Sequence, residues 1–302
     1  MGRTEGHPSG PHFGESVKIV IYGLAKSGTS ALFYKIRNSL PSGTIELFEP
    51  SSYGWPDRLR TRLKALRRGR PWPDVLAKVL PWDWRPVRIE DFERFDRRIL
   101  LVRDPRDRLV SGLLYRSYNA TFVAHEAPAM EFLDLIRKKE SEPGRIPVLR
   151  LIEAFERLER QAGGRADWLE QYRSRGLAEP LRFHDARPRL AMFRYEDLVD
   201  SRFASLEAAL DMPLGGSATV PPALERVVRT KRYGAWRHWF TREDVDTLRP
   251  AMTPFLDRYY PDGDWDISPS PHLDSAQGSD YVERIVNERR ALLDLPPLPC
   301  AR

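Results

Sequence analysis

A single cysteine, Cys300, stands two positions from the end of the 302-residue chain. That scarcity excludes an intrachain disulfide and any cysteine-based metal cluster. Long apolar runs are missing as well: nothing approaches the ~18 consecutive apolar residues of a membrane-spanning helix, and no membrane insertion is expected. Residues 1–15 are rich in Gly, Pro and His rather than basic and then apolar, so they read as a flexible segment and not as a secretory signal. These absences fit a reducing, cytoplasmic setting. No repeat recurs at a fixed period, and no grouping of His, Asp or Glu has metal-ligand spacing, so no metal is expected. What the chain does have is 41% hydrophobic and 30% charged residues, enough to bury a sizeable core. Lys and Arg outnumber Asp and Glu by 49 to 43, a formal charge of +6. The surplus suits an anionic small ligand, a nucleic acid or an acidic polysaccharide without choosing among them. The arginine run over residues 60–70 reads as a solvated face, and no nucleic-acid partner is expected.

Val17–Tyr22 is a β-branched apolar run that reads as a buried strand. Thr44–Phe48, Val75–Leu80, Arg98–Val102 and Leu190–Arg194 read likewise, each separated from the next by enough chain to cross over. The pattern predicts a three-layer α/β fold of P-loop type, with a central, mainly five-stranded parallel sheet flanked by helices. Helices are expected after Gly28 to about Ser39, from Pro105 to about Tyr118, and over Ala129–Lys139, Pro147–Arg173, Ser201–Leu210, Thr241–Tyr259 and Ser279–Leu293. Residues 16–260 read as one domain and 261–302 as its C-terminal extension. Residues 53–97 carry Trp55, Trp72, Trp82 and Trp84 among many arginines and prolines, and read as an excursion from the core, either a cationic surface or one that meets substrate.

Two stretches carry chemistry. Between the first strand and the first helix lies Gly23-Leu-Ala-Lys-Ser-Gly-Thr-Ser30. Such a turn points successive N–H groups at one spot and adds the positive end of a helix, so a phosphate or sulfate is held there. A nucleoside-triphosphatase loop has Lys directly after its second Gly, whereas here Thr29 occupies that place and the lysine, Lys26, lies inside the loop. The second stretch is Arg98-Ile-Leu-Leu-Val-Arg-Asp-Pro-Arg-Asp-Arg-Leu-Val-Ser111, in which Ser111 follows Arg103 by eight residues, about two helical turns. A guanidinium fork with a hydroxyl makes a receptor for a second, terminal phosphate. The alternative is that Arg103 and Asp104 pair with each other's neighbours at a helix start, where Asp is favoured.

In order and spacing these stretches resemble the sulfotransferases that use 3'-phosphoadenosine 5'-phosphosulfate (PAPS). Lys26, Ser27, Gly28, Thr29 and Ser30 match the family's 5'-phosphosulfate loop position by position, and Arg103 with Ser111 matches its 3'-phosphate site. Phe193-Arg-Tyr-Glu-Asp-Leu198 is similar to the family's segment beside the adenine, which makes Tyr195 the implied adenine contact. In Arg229-Thr-Lys-Arg-Tyr-Gly-Ala-Trp-Arg-His-Trp-Phe-Thr241, the residues Gly234, Trp236, Phe240 and Thr241 match a segment that closes over the nucleotide. Where the family has Arg-Lys-Gly this chain has Arg229-Thr230-Lys231, so Arg229 carries over and Lys231 stands as a substitute donor.

The resemblance implies transfer of a sulfuryl group from PAPS to a hydroxyl or amine, leaving adenosine 3',5'-bisphosphate (PAP). Lys26 then doubles as a catalytic residue, stabilising charge on the leaving oxygen. Cytosolic sulfotransferases of phenols and steroids place a His after a Lys-bearing strand; the comparable Ala77-Lys-Val-Leu-Pro81 has Leu80 there. Leu47-Phe-Glu-Pro50 instead resembles carbohydrate 6-O-sulfotransferases, which makes Glu49 the implied base and a glycan or small metabolite the implied acceptor. Glu46 is placed inside the strand by alternation. His125, His184 and His238 are read as surface or core residues. A kinase or NTPase and an inactive nucleotide-binding protein of the same fold are the competing readings.

Overall fold

The computed structural model describes residues 16–66, 73–83 and 85–299; Trp72, Trp84, Cys300 and the segment 1–15 lie outside the described residues. Strands β1 (Lys18–Gly23), β2 (Ile45–Phe48), β3 (Val75–Val79), β4 (Arg97–Val102) and β5 (Ala191–Arg194) form one sheet in the order β2-β3-β1-β4-β5. Every neighbouring pair is parallel. The helices are α1 (Thr29–Arg37), α2 (Trp55–Leu66), α3 (Pro105–Arg116), α4 (Glu126–Ser141), α5 (Val148–Gln161), α6 (Trp168–Arg173), α7 (Glu179–Asp185), α8 (Tyr195–Val199), α9 (Ala204–Leu210), α10 (Trp236–Trp239), α11 (Arg242–Tyr259) and α12 (Ser279–Ala291). The expected α/β class and parallel sheet are the observed ones.

Alternate strand residues enter two separate cores, which is why the buried stretches of the inner strands are apolar but for Lys78 of β3. Ile19, Ile21, Leu76, Ile99, Leu101 and Phe193 pack against Leu32, Phe33 and Ile36 of α1 and Leu206 and Leu210 of α9. Val20, Tyr22, Ala77, Val79, Leu100 and Val102 face the larger core, built from α3, α4, α5, α11 and α12. Edge strand β2 is half-buried at Ile45 and Leu47 and exposed at Glu46 and Phe48.

Two expectations are corrected. Residues 53–97 are not peripheral: β3 lies between β2 and β1, and Tyr53, Phe92 and Phe95 are buried in the larger core. The strand at 75–79 is expected within the segment, and what the high arginine and proline content masked were the isolated aromatic anchors Tyr53, Phe92 and Phe95. The single helix expected over 147–173 is broken into α5 and α6. Gly163 takes a left-handed φ of 76°, and a side chain at Gly164 would run into the Glu159 carboxylate at 2.3 Å.

Candidate functional site

Neighbouring strands β1 and β4 lead to helices on opposite faces, α1 in the smaller core and α3 in the larger one. The chain therefore parts above their carboxyl ends, and such a switch point opens a crevice. The loop after β1 fills one side. Lys26 and Gly28 both take left-handed φ values, 66° and 85°, and Ser27 N–H donates to the Leu24 carbonyl at 3.2 Å. Only Gly serves at position 28, because a Cβ there would lie 2.3 Å from Cδ2 of Tyr195. The first N–H groups of α1 have no partners within the helix and point out of its start.

Arg103, directly after β4, is buried, and its Nη1 donates to the Lys26 carbonyl at 2.9 Å. Its guanidinium lies 4.3 Å from the centre of the Tyr195 ring. Asp104, by contrast, does what a helix start asks: it accepts the Arg106 N–H at 2.8 Å and pairs with that guanidinium at 2.7 Å. Arg229 is also buried and donates through Nη1 to the Gln277 carbonyl at 3.0 Å. Among the described residues, five of the eleven buried polar side-chain atoms with no protein partner belong to this group: Ser27 Oγ, Nε and Nη2 of Arg103, and Nε and Nη2 of Arg229. Buried polar groups of native proteins are nearly always paired, so an acceptor from outside the chain is called for.

The electrostatics agree. Burial, and then the charges of Arg103 and Arg229, push the Lys26 ammonium well below its ordinary pKa. Burial and Arg103 bring Arg229 down to about 10. Lys26 Nζ sits 4.0 Å from the centre of the Tyr115 ring. Asp107 is the anion inside this group; burial raises its pKa, while Arg103 and the N–H groups of Gly234 and Trp236 lower it. Trp236 N–H donates to Asp107 at 2.9 Å, which ties the 229–241 segment to α3.

The structure thus brings together Lys26, Ser27, Gly28, Arg103, Tyr195 and Arg229. Thr29 is buried at the start of α1 and Ser111 is buried on α3, while Lys231 is exposed. The Trp236 indole is taken up by Phe240, Trp265 and the Arg106 guanidinium, 4.0 Å from the ring centre. His184 stacks on Tyr259, His238 accepts from His272 N–H at 3.2 Å, and His125 is exposed at the start of α4.

Glu49 follows β2 at φ 55°, a left-handed conformation uncommon outside Gly, Asn and Asp. Its carboxylate pairs at 2.7 Å with Lys78 Nζ, and its side chain is 46% exposed against 3% for Lys78. Lys78 also donates to Ser30 Oγ at 3.0 Å and lies 3.7 Å from the centre of the Phe48 ring. Sequence reasoning passed over Lys78, although a lone lysine in an otherwise apolar strand is itself the signal, since a buried cation needs partners. Burial lowers its pKa and Glu49 raises it. Glu46, on the same edge strand, is held by Arg37 at 2.9 Å. Among the described residues no three His, Cys, Asp or Glu side chains are grouped so as to hold a metal ion.

No protein-family model matches the chain, and no curated protein matches it. Solved structures that resemble it include a sulfotransferase. This is mouse SULT7A1 complexed with PAP, matched with a TM-score of 0.43 at 15% identity over 82% of this chain and 87% of that one.

Proposed function

We propose that the chain transfers a sulfuryl group from PAPS to a hydroxyl or amine of a carbohydrate or other small metabolite by in-line displacement. The observation that carries this reading is the set of buried, unpartnered donors on Ser27, Arg103 and Arg229, gathered around Lys26 where β1 and β4 part. They fall into two groups, one on a helix-starting loop and one on guanidinium forks, as a ligand with two separated anionic groups requires. The loop residues Lys26, Ser27, Gly28, Thr29 and Ser30 would hold the 5'-phosphosulfate, and Arg103, Ser111 and Arg229 the 3'-phosphate. Tyr195 would lie by the adenine, with Lys231 and Trp236 contributed by the segment that follows. Bound PAPS would supply the activated sulfuryl group.

The protein's part is charge and position. Lys26 and the loop N–H groups stabilise negative charge on the departing phosphate oxygen. Lys78 joins Glu49 to the loop, because it holds both Ser30 and Glu49. Glu49, half-exposed, would take the acceptor's proton.

Calorimetric titration with PAP, and separately with ADP and with ATP and magnesium, tests this. PAP is expected to bind preferentially, with a loss on the order of 10- to 100-fold in Arg103→Ala, the range for a charge-assisted hydrogen bond, and a smaller loss in Ser111→Ala. Glu49→Gln should keep PAP affinity while transfer falls by roughly 10²- to 10⁴-fold. Preference for ATP with magnesium would return the chain to the kinase class, and absence of nucleotide binding would sink the reading.

A further inference from the structure

Helix α2 is amphipathic in the reverse sense to a packed helix. Among its described side chains the buried one is polar, Thr61, 7% exposed, whereas Trp55, Leu59, Leu63 and Leu66 are 74%, 40%, 48% and 54% exposed. At 3.6 residues per turn those four lie within an arc of about 80°, nearly opposite Thr61. Exposed Arg62 borders one side of the stripe and exposed Arg60 stands beyond the other, while exposed Lys64 lies farther round, about 140° from the stripe's centre. Over Trp55–Leu66 four cations stand against one carboxylate, Asp57, and the sequence continues with Arg67, Arg68 and Arg70. The helix is held to the body at its beginning: Arg58 Nε donates to the Tyr53 carbonyl at 3.1 Å, and Tyr53 is buried against Phe92 and Phe95.

Scattered exposed leucines are ordinary, but a contiguous apolar stripe with cationic borders is not. We propose that α2 docks the protein on an anionic lipid bilayer. The Trp–Leu stripe lies in the boundary between headgroups and acyl chains, Arg60 and Arg62 reach the lipid phosphates and carboxylates, and Lys64 adds longer-range attraction to the anionic surface. Charge complementarity selects this occupant. A second copy of the chain would bring the same cations against each other, and an acidic glycan would leave the leucines in water. No helix of the described residues is long and apolar enough to cross a membrane, so α2 lies on the bilayer and does not span it. The inference does not rest on the nucleotide chemistry.

Flotation of the full chain with phosphatidylcholine vesicles, with and without phosphatidylserine, tests it. The wild type should float with the anionic vesicles and stay behind with the neutral ones. Arg60→Gln/Arg62→Gln/Lys64→Gln should lower the partition coefficient on the order of 100-fold, at roughly fivefold per cation. Leu59→Gln/Leu63→Gln should lower it at least about tenfold. The same charge loss elsewhere, in Arg145→Gln/Arg150→Gln/Arg165→Gln, whose side chains are 84%, 69% and 71% exposed, should leave flotation unchanged. All four proteins are checked for unaltered circular dichroism and light-scattering mass. Equal flotation of wild type and α2 variants would overturn the proposal, as would an equal loss in the control. So would a wild-type dimer that ignores vesicles and is dissociated by Leu59→Gln/Leu63→Gln, which would make the stripe an interface between copies.

Discussion

Glu196, the residue after Tyr195, accepts the Asp104 N–H at 3.1 Å and the Tyr260 hydroxyl at 2.7 Å. Burial outweighs both bonds and raises its carboxyl from 4.5 to about 7. Because the folded pKa lies above the unfolded one, the folded state binds more protons between those values. The contribution of Glu196 to stability is therefore complete below about pH 4.5 and lost as pH rises through 7. Denaturant titrations across that window should show stability falling by no more than about 3 kcal/mol from this group. Glu196→Gln, which keeps the acceptor oxygen but cannot ionise, should flatten that part of the profile. Residues of this kind separate what spacing reveals from what it hides. Lys26, Ser27, Gly28 and Arg103 were legible because a short pattern between a strand and a helix specifies them. Lys78 and Glu196 act through partners far away in the chain, and no local pattern marks those partners.

The segment from Arg229 to Thr241 is tied to α3 through one side chain, Asp107. Asp107 accepts N–H groups from Gly234 and Trp236, and it is the carboxylate that faces Arg103 inside the site. Removing it in Asp107→Ala leaves two amides unpaired and two buried guanidinium groups without their counter-charge. A loss of about 3 kcal/mol or more is expected, with hydrogen exchange at Gly234 and Trp236 accelerated ahead of the sheet. Unchanged protection at those two amides would show that other contacts hold the segment. The strands and most helices were legible from apolar runs and periodicity. The stretch carrying α2 was read only as a tryptophan- and arginine-rich excursion, since the apolar face of α2 does not join the core. The break between α5 and α6 was missed because Gly163 and Gly164 interrupt a strongly amphipathic pattern only briefly.

Taken together, the cations around the crevice make the protein a receptor awaiting negative charge. Lys26 and Arg229 are both disfavoured as cations by burial and by Arg103, and a bound anion would reverse that. PAP binding should accordingly be accompanied by proton uptake on the alkaline side, where these groups lose their protons in the free protein. It would be seen as a dependence of calorimetric heat on the buffer's ionisation enthalpy, with affinity weakening as pH rises. Saturation at a hundredfold excess over Kd should stabilise the fold by about 2.7 kcal/mol, read as a rise in Tm. Buffer-independent heats would place Lys26 outside the binding site.

Local order dictated the elements of this chain and the loop that opens its site, because a β-branched run, a glycine at a left-handed turn and an arginine after a strand each act within a few residues. Convergence is a property of three dimensions. Arg103 meets Lys26 across 77 positions of sequence, and Arg229 and Asp107 lie 122 positions apart (229 − 107). The shifted pKa values of Lys26, Arg229 and Asp107, the unpaired Nε and Nη2 atoms of Arg103 and Arg229, and the outward face of α2 follow from burial and from distances through space. Neither is written in the spacing of residues along the chain.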